Sequence, residues 1–236
     1  MPINRDQFDK LGKIEIASWA VWSPGYQWNP DHGDCVEACN DKRVKFMWEQ
    51  QGVLKNDVVF LAFNPSGRDS GSREFRTFGN FHSIRQGTSM AGCADMVLKE
   101  IIPPFENLHG AYMTDLSEQI ENNPERVRII VKEAKTLFEE QLKILGSKRY
   151  YVICFGISKD FTFEVIKKIY KPAKQPKEIG LKVKKYEYNC QDYEFIFYGV
   201  YHYTYNCSIH AEVKKAQLEI VNKDIGIEKA NIAQRR

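Results

Sequence analysis

The hydrophobic pattern of this chain alternates between short apolar runs and longer stretches with helical spacing. The apolar runs are typical of strands buried on both faces of a sheet, and they occupy residues 57–63, 111–114 and 150–155. Apolar residues spaced three or four positions apart predict helices at residues 5–22, 34–51, 90–102, 124–145, 158–170 and 208–222. Residues 183–188 and 193–200 predict a hairpin, the second strand of which can join the core.

Strands that alternate with helices predict an α/β fold. We expect three layers, α/β/α, with a central, mainly parallel, four-stranded sheet. The sequence has no internal repeat and no compositional break, so residues 1–236 are expected to form a single domain. Within it, residues 1–55 would form a helical N-terminal extension packed on the core, and the polar tail at 224–236 would fray.

The composition is that of a soluble globular protein, with 43% hydrophobic and 28% charged residues. No apolar run approaches the roughly 20 residues that cross a bilayer, and the N-terminus lacks the apolar core of a signal peptide. We therefore expect a cytoplasmic monomer that does not bind membranes. The six scattered cysteines favour reduced thiols over a disulfide framework.

Two features of the composition suggest ligands without requiring them. His32, Cys35 and Cys39 could supply three metal ligands, but no second close pair accompanies them, so we expect no metal or cofactor. Residues 167–185 contain eight lysines and one acidic residue. Such a segment can follow a phosphate backbone, with Lys182 and Lys184 as DNA contacts, or it can be a solvated connection.

Polar residues stand at the carboxyl ends of three predicted strands. Asn64 begins the sharp turn Asn-Pro-Ser-Gly at 64–67, Asp115 ends the second strand, and His202 follows the last strand. In a parallel sheet these ends meet at one edge, which is where open α/β sheets bind ligands. Each residue alone could be a cap or a turn, but the three together predict a shared cleft.

These motifs resemble those of the uracil-DNA glycosylases. Residues 61–67 are similar to the first family motif, an apolar strand followed by Asn-Pro-Gly, in the mismatch-specific and single-strand-selective branches. Residues 200–204 match the final motif in the histidine and its flanking layout. Residues 112–115 are similar in position to the strand that carries a base-reading Asn, and 153–156 resemble a glycine-closed strand of the same fold. The resemblance covers roughly residues 55–222.

The sequence departs from the family pattern at three places. Ala62 stands where a glycine is usual, Pro-Ser does not follow His202, and Asp115 replaces the base-reading Asn. The iron–sulfur cysteine spacing of some branches is also absent. The third departure bears on the substrate, because an ionised carboxylate only accepts hydrogen bonds, whereas an amide both donates and accepts them.

The resemblance implies a DNA glycosylase that turns a nucleotide out of the base stack. In this role His202 would donate a hydrogen bond to the departing base, and Asn64 would orient the attacking water. Ser66 and Gly67 would line the substrate site. No lysine stands in a motif for Schiff-base formation, so we expect a monofunctional enzyme that leaves an abasic site.

Aromatic residues are further candidates for contacts with DNA. Phe78 and Phe81 lie in the long polar segment 64–89, and either could stack on the extruded base or belong to the core. Tyr203 and Tyr205 follow His202 and are candidates for a wedge that inserts into the DNA.

Asp115 suggests the substrate and leaves alternatives open. A carboxylate suits the exocyclic amine of cytosine, so the hypothesis is a modified pyrimidine, such as a 5-substituted cytosine of phage DNA removed in anti-phage defence. The alternatives are a uracil or mismatch repair glycosylase and a DNA-binding protein that recognises a base without cutting. An α/β hydrolase or nucleotide-binding protein is disfavoured, since its motifs are absent.

Overall fold

The computed structural model describes residues 2–22, 28–29, 34–35, 40–65, 78, 81, 94–119, 126–158, 161–202 and 211–234. The helices are α1 (Arg5–Leu11), α2 (Asn40–Glu49), α3 (Ala94–Ile101), α4 (Val131–Leu145), α5 (Thr162–Ile169) and α6 (Ala211–Ala233). The strands are β1 (Ser18–Trp19), β2 (Trp28–Asn29), β3 (Asp34–Cys35), β4 (Lys55–Ala62), β5 (Ala111–Asp115), β6 (Arg149–Phe155), β7 (Lys177–Gly180), β8 (Val183–Asn189) and β9 (Glu194–Val200).

Seven of these strands form one mixed sheet in the order β1-β5-β4-β6-β9-β8-β7. The central strands β5, β4, β6 and β9 run parallel to one another, while β1, β8 and β7 are antiparallel additions. The predicted α/β class and the parallel centre are therefore confirmed. The sheet has more than the predicted four strands because β1 extends one edge, and β8 and β7 extend the other.

Helices cover both faces of the sheet, which gives three layers. Side chains of β4 alternate between two apolar clusters: Val59 and Leu61 face one side, and Val58 and Phe60 face the other. The first cluster packs against α1, α4 and α5, and the second packs against α3 and α6. Because both faces are covered, polar side chains reach a ligand most readily at the strand ends.

The N-terminal segment is not wholly helical, contrary to expectation. The predicted helix at 5–22 ends at Leu11, where the backbone N–H of Gly12 donates to Phe8 at 2.9 Å. The chain then enters the sheet as β1, which pairs with β5. Asp34 and Cys35, the start of the helix predicted at 34–51, form β3 instead, and α2 spans Asn40–Glu49.

Two helix boundaries also differ from the predictions. α4 begins at Val131 rather than at 124, because Ile130 is extended and the preceding 127–129 are not helical. The tail at 224–236, which was expected to fray, is helical as far as Ala233. Ile225 is fully buried there, and this burial gives the second half of α6 a reason to stay folded.

Ion pairs also hold the second half of α6 against the sheet. Lys185 of β8 lies 2.6 Å from Asp224 and 2.8 Å from Glu228, and Lys229 lies 2.7 Å from Asp57. Tyr198 donates a hydrogen bond of 2.6 Å to Asp224. Burial alone would lower the pKa of Lys185, but the two carboxylates hold that pKa above its ordinary value. The ammonium therefore stays charged in its partly buried site.

The lysine-rich segment 167–185 is only in part the solvated connection that its sequence allows. Residues 171–176 form such a connection, while the rest comprises the end of α5, β7 and the start of β8, and the two strands form a hairpin at the sheet edge. Leu181 and Lys182 make the turn, with φ angles of 44° and 62°. The turn thus needs left-handed backbone at two residues that are not glycine.

Gly110 joins the amino ends of β5 and β4 to the carboxyl end of β1. We predict that Gly110→Ala is strongly destabilising. Its N–H donates to Ala20 and its carbonyl accepts from Lys55. Its φ is +79°, and an added Cβ would lie 2.0 Å from the carbonyl oxygen of Val53. We expect a loss of at least about 2 kcal/mol of unfolding free energy, measured by urea denaturation.

The matched control is Gly52→Ala, because a Cβ at Gly52 meets no atom within 4 Å. We expect a change within about 0.5 kcal/mol for this variant. Equal stability of the two variants would contradict the role of Gly110.

Candidate functional site

The carboxyl edge of the parallel strands brings three polar residues to one side of the sheet. Asp115 ends β5 and pairs with Ala62, the last residue of β4, so Asn64 follows two residues later on the neighbouring strand. Val200 ends β9 and pairs with Phe155 of β6, and His202 follows two residues after it. The edge therefore carries Asp115 at the end of β5, Asn64 after the adjacent β4, and His202 after β9. β6 lies between β4 and β9.

Backbone carbonyls hold the side chain of Asn64. Its amide nitrogen donates to the carbonyl oxygen of Pro65 at 2.9 Å and to that of Gln119 at 3.3 Å. Gln119 belongs to the segment after β5, so the second bond connects the ends of two neighbouring strands. The two bonds fix the orientation of the side-chain amide.

Asp115 is buried at the end of β5, with 1% of its surface exposed. A polar network fixes the strand just before it. Tyr112 and Thr114 each donate a hydrogen bond of 2.7 Å to the side-chain oxygen of Gln141 on α4. Burial raises the pKa of Tyr112 well above its ordinary value, so its hydroxyl remains a donor. The network holds β5 in one register against α4, and this register places Asp115.

The approach to His202 is fixed by a buried side chain of α6. The side-chain oxygen of Gln217 accepts a hydrogen bond of 2.9 Å from the backbone N–H of Tyr201, the residue before His202. The side-chain nitrogen of Gln217 donates at 2.8 Å to the carbonyl of Leu181 in the β7–β8 turn. Gln217 is fully buried, and both bonds are partly shielded from water. His202 itself is half-buried.

The strand ends that carry Asn64 and His202 are not adjacent. β6 separates β4 from β9, so these ends are about 10 Å apart at the usual strand spacing. Gly156 follows β6 with a φ of +106°, and an added Cβ there would lie 3.1 Å from the Cβ of Phe161. The Phe161 ring lies 5.7 Å from that of Phe63. A glycine and two aromatic rings therefore lie near the end of the strand that separates Asn64 from His202.

The two phenylalanine candidates are both buried, on opposite faces of the sheet. Phe78 packs against Phe8 with ring centroids 4.7 Å apart and against Trp19 at 6.4 Å. These are the contacts of a core residue, so we assign Phe78 to the core rather than to base stacking. Phe81 belongs to the second cluster, with 3% of its surface exposed.

Several predicted residues lie outside the described part of the chain. They are Ser66, Gly67, Tyr203 and Tyr205 of the site, and His32 and Cys39 of the possible metal ligands. Lys182 is exposed in the β7–β8 turn, and Lys184 lies half-buried on β8 opposite Gly199. Among the described residues, no cluster of His, Cys, Asp or Glu could hold a metal ion.

The helical spacing of residues 208–222 predicts an inward face made of Ile209, Val213, Ala216 and Ile220. Ile209 lies outside the described residues, Ile220 packs partly buried against the second cluster, and Val213 and Ala216 are only half-buried. The buried residues of α6 are instead Lys214, Gln217, Leu218, Val221 and Ile225. Two of these are polar and lie at the end of the helix nearest the site. Extending the apolar stripe back by one turn would have revealed them.

Comparison with known proteins assigns no family. No protein-family model matches the sequence, and no curated protein matches it significantly. Within the part of the chain that the structure describes, no helix is both long enough and apolar enough to cross a membrane.

Gln217→Leu tests how the approach to His202 is held. Leucine fills a similar volume but leaves the N–H of Tyr201 and the carbonyl of Leu181 without their side-chain partner. We expect a loss of about 1–3 kcal/mol of unfolding free energy, measured by chemical denaturation.

Lys215→Leu, an exposed position of the same helix, serves as the control and should change the free energy by less than about 0.5 kcal/mol. A Gln217→Leu variant as stable as this control would show that the two hydrogen bonds contribute little.

Proposed function

We propose that this protein is a DNA N-glycosylase that hydrolyses the bond between a modified pyrimidine and its sugar. One observation carries the proposal: Asp115 ends one strand of a parallel group, Asn64 and His202 follow two others, and all three share its carboxyl edge. This edge is where open α/β sheets bind ligands. The motifs that resemble the uracil-DNA glycosylases supply the same three positions, and we extend that resemblance to the fold.

The reaction requires the target nucleotide outside the base stack. When the N-glycosidic bond breaks, its electron pair goes to the base and the sugar develops positive charge. Water then adds its hydroxyl to C1′ of the sugar, and its proton ends on the released base. The products are a free base and an abasic site.

His202 and Asn64 divide the work of stabilising this reaction. A neutral His202 donates a hydrogen bond to the base oxygen and stabilises the negative charge that develops there. Asn64 accepts a hydrogen bond from the attacking water through its side-chain oxygen, because backbone carbonyls hold its NH₂ group. An amide does not take up a proton near neutral pH, so the reaction is slower than with a carboxylate at this position.

Asp115 selects the base in this proposal. A buried carboxylate accepts hydrogen bonds and suits the exocyclic amine of cytosine, whereas an amide satisfies both the N–H and the C=O of uracil. We therefore propose a cytosine with a substituent at C5, of the kind that phage genomes carry. The corresponding role is defence against phage by a cytoplasmic, monomeric enzyme.

Asn64→Ala and His202→Ala test the catalytic roles. Each should lower the rate of abasic-site formation by about 100-fold or more, because each removes an interaction made in the transition state. Abasic sites in labelled oligonucleotides with different modified bases are measured by strand scission with heat and alkali.

Asn56→Ala and His109→Ala are matched controls, since they change the same residue types at the amino ends of β4 and β5. Both should cleave at the wild-type rate. Cleavage by the two site variants at the control rate would refute the assigned roles. DNA binding without cleavage by the wild type would favour a protein that recognises a base without cutting.

Asp115→Asn tests the choice of base. We expect the ratio of modified-cytosine to uracil excision to fall by about tenfold or more, because the amide can pair with uracil. The same oligonucleotides give both rates. Equal excision of uracil by wild type and variant, with no cleavage at any modified cytosine, would rule out the proposed base.

A further inference from the structure

The β7–β8 hairpin carries an exposed leucine at a turn with unfavourable backbone geometry. Leu181 is 54% exposed, and both Leu181 and Lys182 adopt positive φ. Two-residue turns of this kind strongly prefer Asn-Gly or Asp-Gly, because other side chains crowd the backbone there. Local stability therefore does not explain a leucine and a lysine. Strain of this kind is concentrated at functional sites.

The tip of the hairpin lies beside the candidate site. Lys184 pairs with Gly199, and continuing this antiparallel register brings Leu181 level with His202. The hydrogen bonds of Gln217 agree with this placement, since this one side chain bonds both the carbonyl of Leu181 and the N–H of Tyr201. The exposed leucine is thus tied to the segment that leads into His202.

The base of the hairpin is fixed. Val183 is fully buried, and Ile179 packs against the apolar cluster beneath α6. Gly180 approaches α6 so closely that an added Cβ would lie 3.3 Å from the side chain of Ile220. The N–H of Lys182 also bonds the side chain of Glu178 at 3.3 Å. A tip that is already ordered loses little conformational entropy when it contacts a partner.

The surroundings of the tip are strongly basic. Residues 171–184 contain five lysines and one acidic residue, and four of the lysines, at 171, 174, 177 and 182, are exposed. An apolar point within a basic surface fits a partner that is anionic outside and apolar inside. Double-stranded DNA has this character, because phosphates surround a stack of bases.

We propose that Leu181 inserts into double-stranded DNA next to the extruded nucleotide, while Lys182 contacts a flanking phosphate. This inference rests on the proposed glycosylase function and specifies its substrate as a duplex. It assigns the wedge to the β7–β8 turn, an element separate from the tyrosines that follow His202. Leu181 fills the space that the extruded base leaves, so the base returns to the stack more slowly.

The substitution Leu181→Asn separates this role from a structural one. The substitution leaves the net charge of the protein unchanged. Because asparagine tolerates positive φ, the variant should melt at the wild-type temperature or above it. Its excision rate on duplex oligonucleotides should fall at least about tenfold, while its rate on the same sequence as a single strand stays within about twofold. Leu181→Ala leaves only a methyl group, which is too small to fill the space of a base. This variant should lose activity on duplex DNA in the same way.

Ile227→Gln is the control, because Ile227 is a similarly exposed apolar residue on α6, with 61% of its surface exposed. Its two rates should equal those of the wild type. Equal changes of the duplex and single-strand rates in both Leu181 variants, or no change in either, would overturn the proposal.

A binding experiment distinguishes failure of this inference from failure of the glycosylase function. If the wild type excises no base from either substrate, the proposed function fails. Insertion by the hairpin is then measured with duplex DNA that contains 2-aminopurine. The fluorescence of this base rises when its stacking is disrupted. A rise with wild type that is lost in Leu181→Asn supports insertion. No rise, or the same rise with both proteins, overturns it.

Discussion

Parallel pairing of β5, β4, β6 and β9 is the constraint on which the rest of this structure depends. The strands point in one direction, so the residues that follow them gather at one edge of the sheet. Helices cover both faces and make those faces apolar. Polar chemistry is consequently concentrated at the edge, where Asp115, Asn64 and His202 come from distant parts of the sequence but from adjacent or nearly adjacent strands.

Two buried amides refine what strand pairing sets approximately. Gln141 joins α4 to β5, and Gln217 joins α6 to the end of β9 and to the β7–β8 turn. A shift of one residue in either strand would leave these groups unpaired inside the protein, which is costly. Apolar packing tolerates small displacements more readily than directional hydrogen bonds do. The positions of the residues before Asp115 and His202 are thus held by polar contacts.

Sequence patterns predicted the parts of the fold that local signals encode. The three apolar runs became β4, β5 and β6, and the order of the strand ends gave the candidate residues. β1 could not be predicted in this way, because its two residues owe their conformation to pairing with β5. The buried face of α6 was misplaced because Lys214 and Gln217 interrupt its apolar stripe. The turn at Leu181 was missed because it lacks the usual turn residues.

The order of the strands along the chain has a consequence for synthesis. β9 is the last strand of the sheet to be made, yet it pairs with β6 at the centre and carries the approach to His202. A nascent chain released before β9 would contain Asn64 and Asp115 but not the strand that leads into His202. For the proposed glycosylase, this arrangement means that an incomplete polypeptide lacks the histidine that stabilises the departing base, so activity would appear only when synthesis has passed β9.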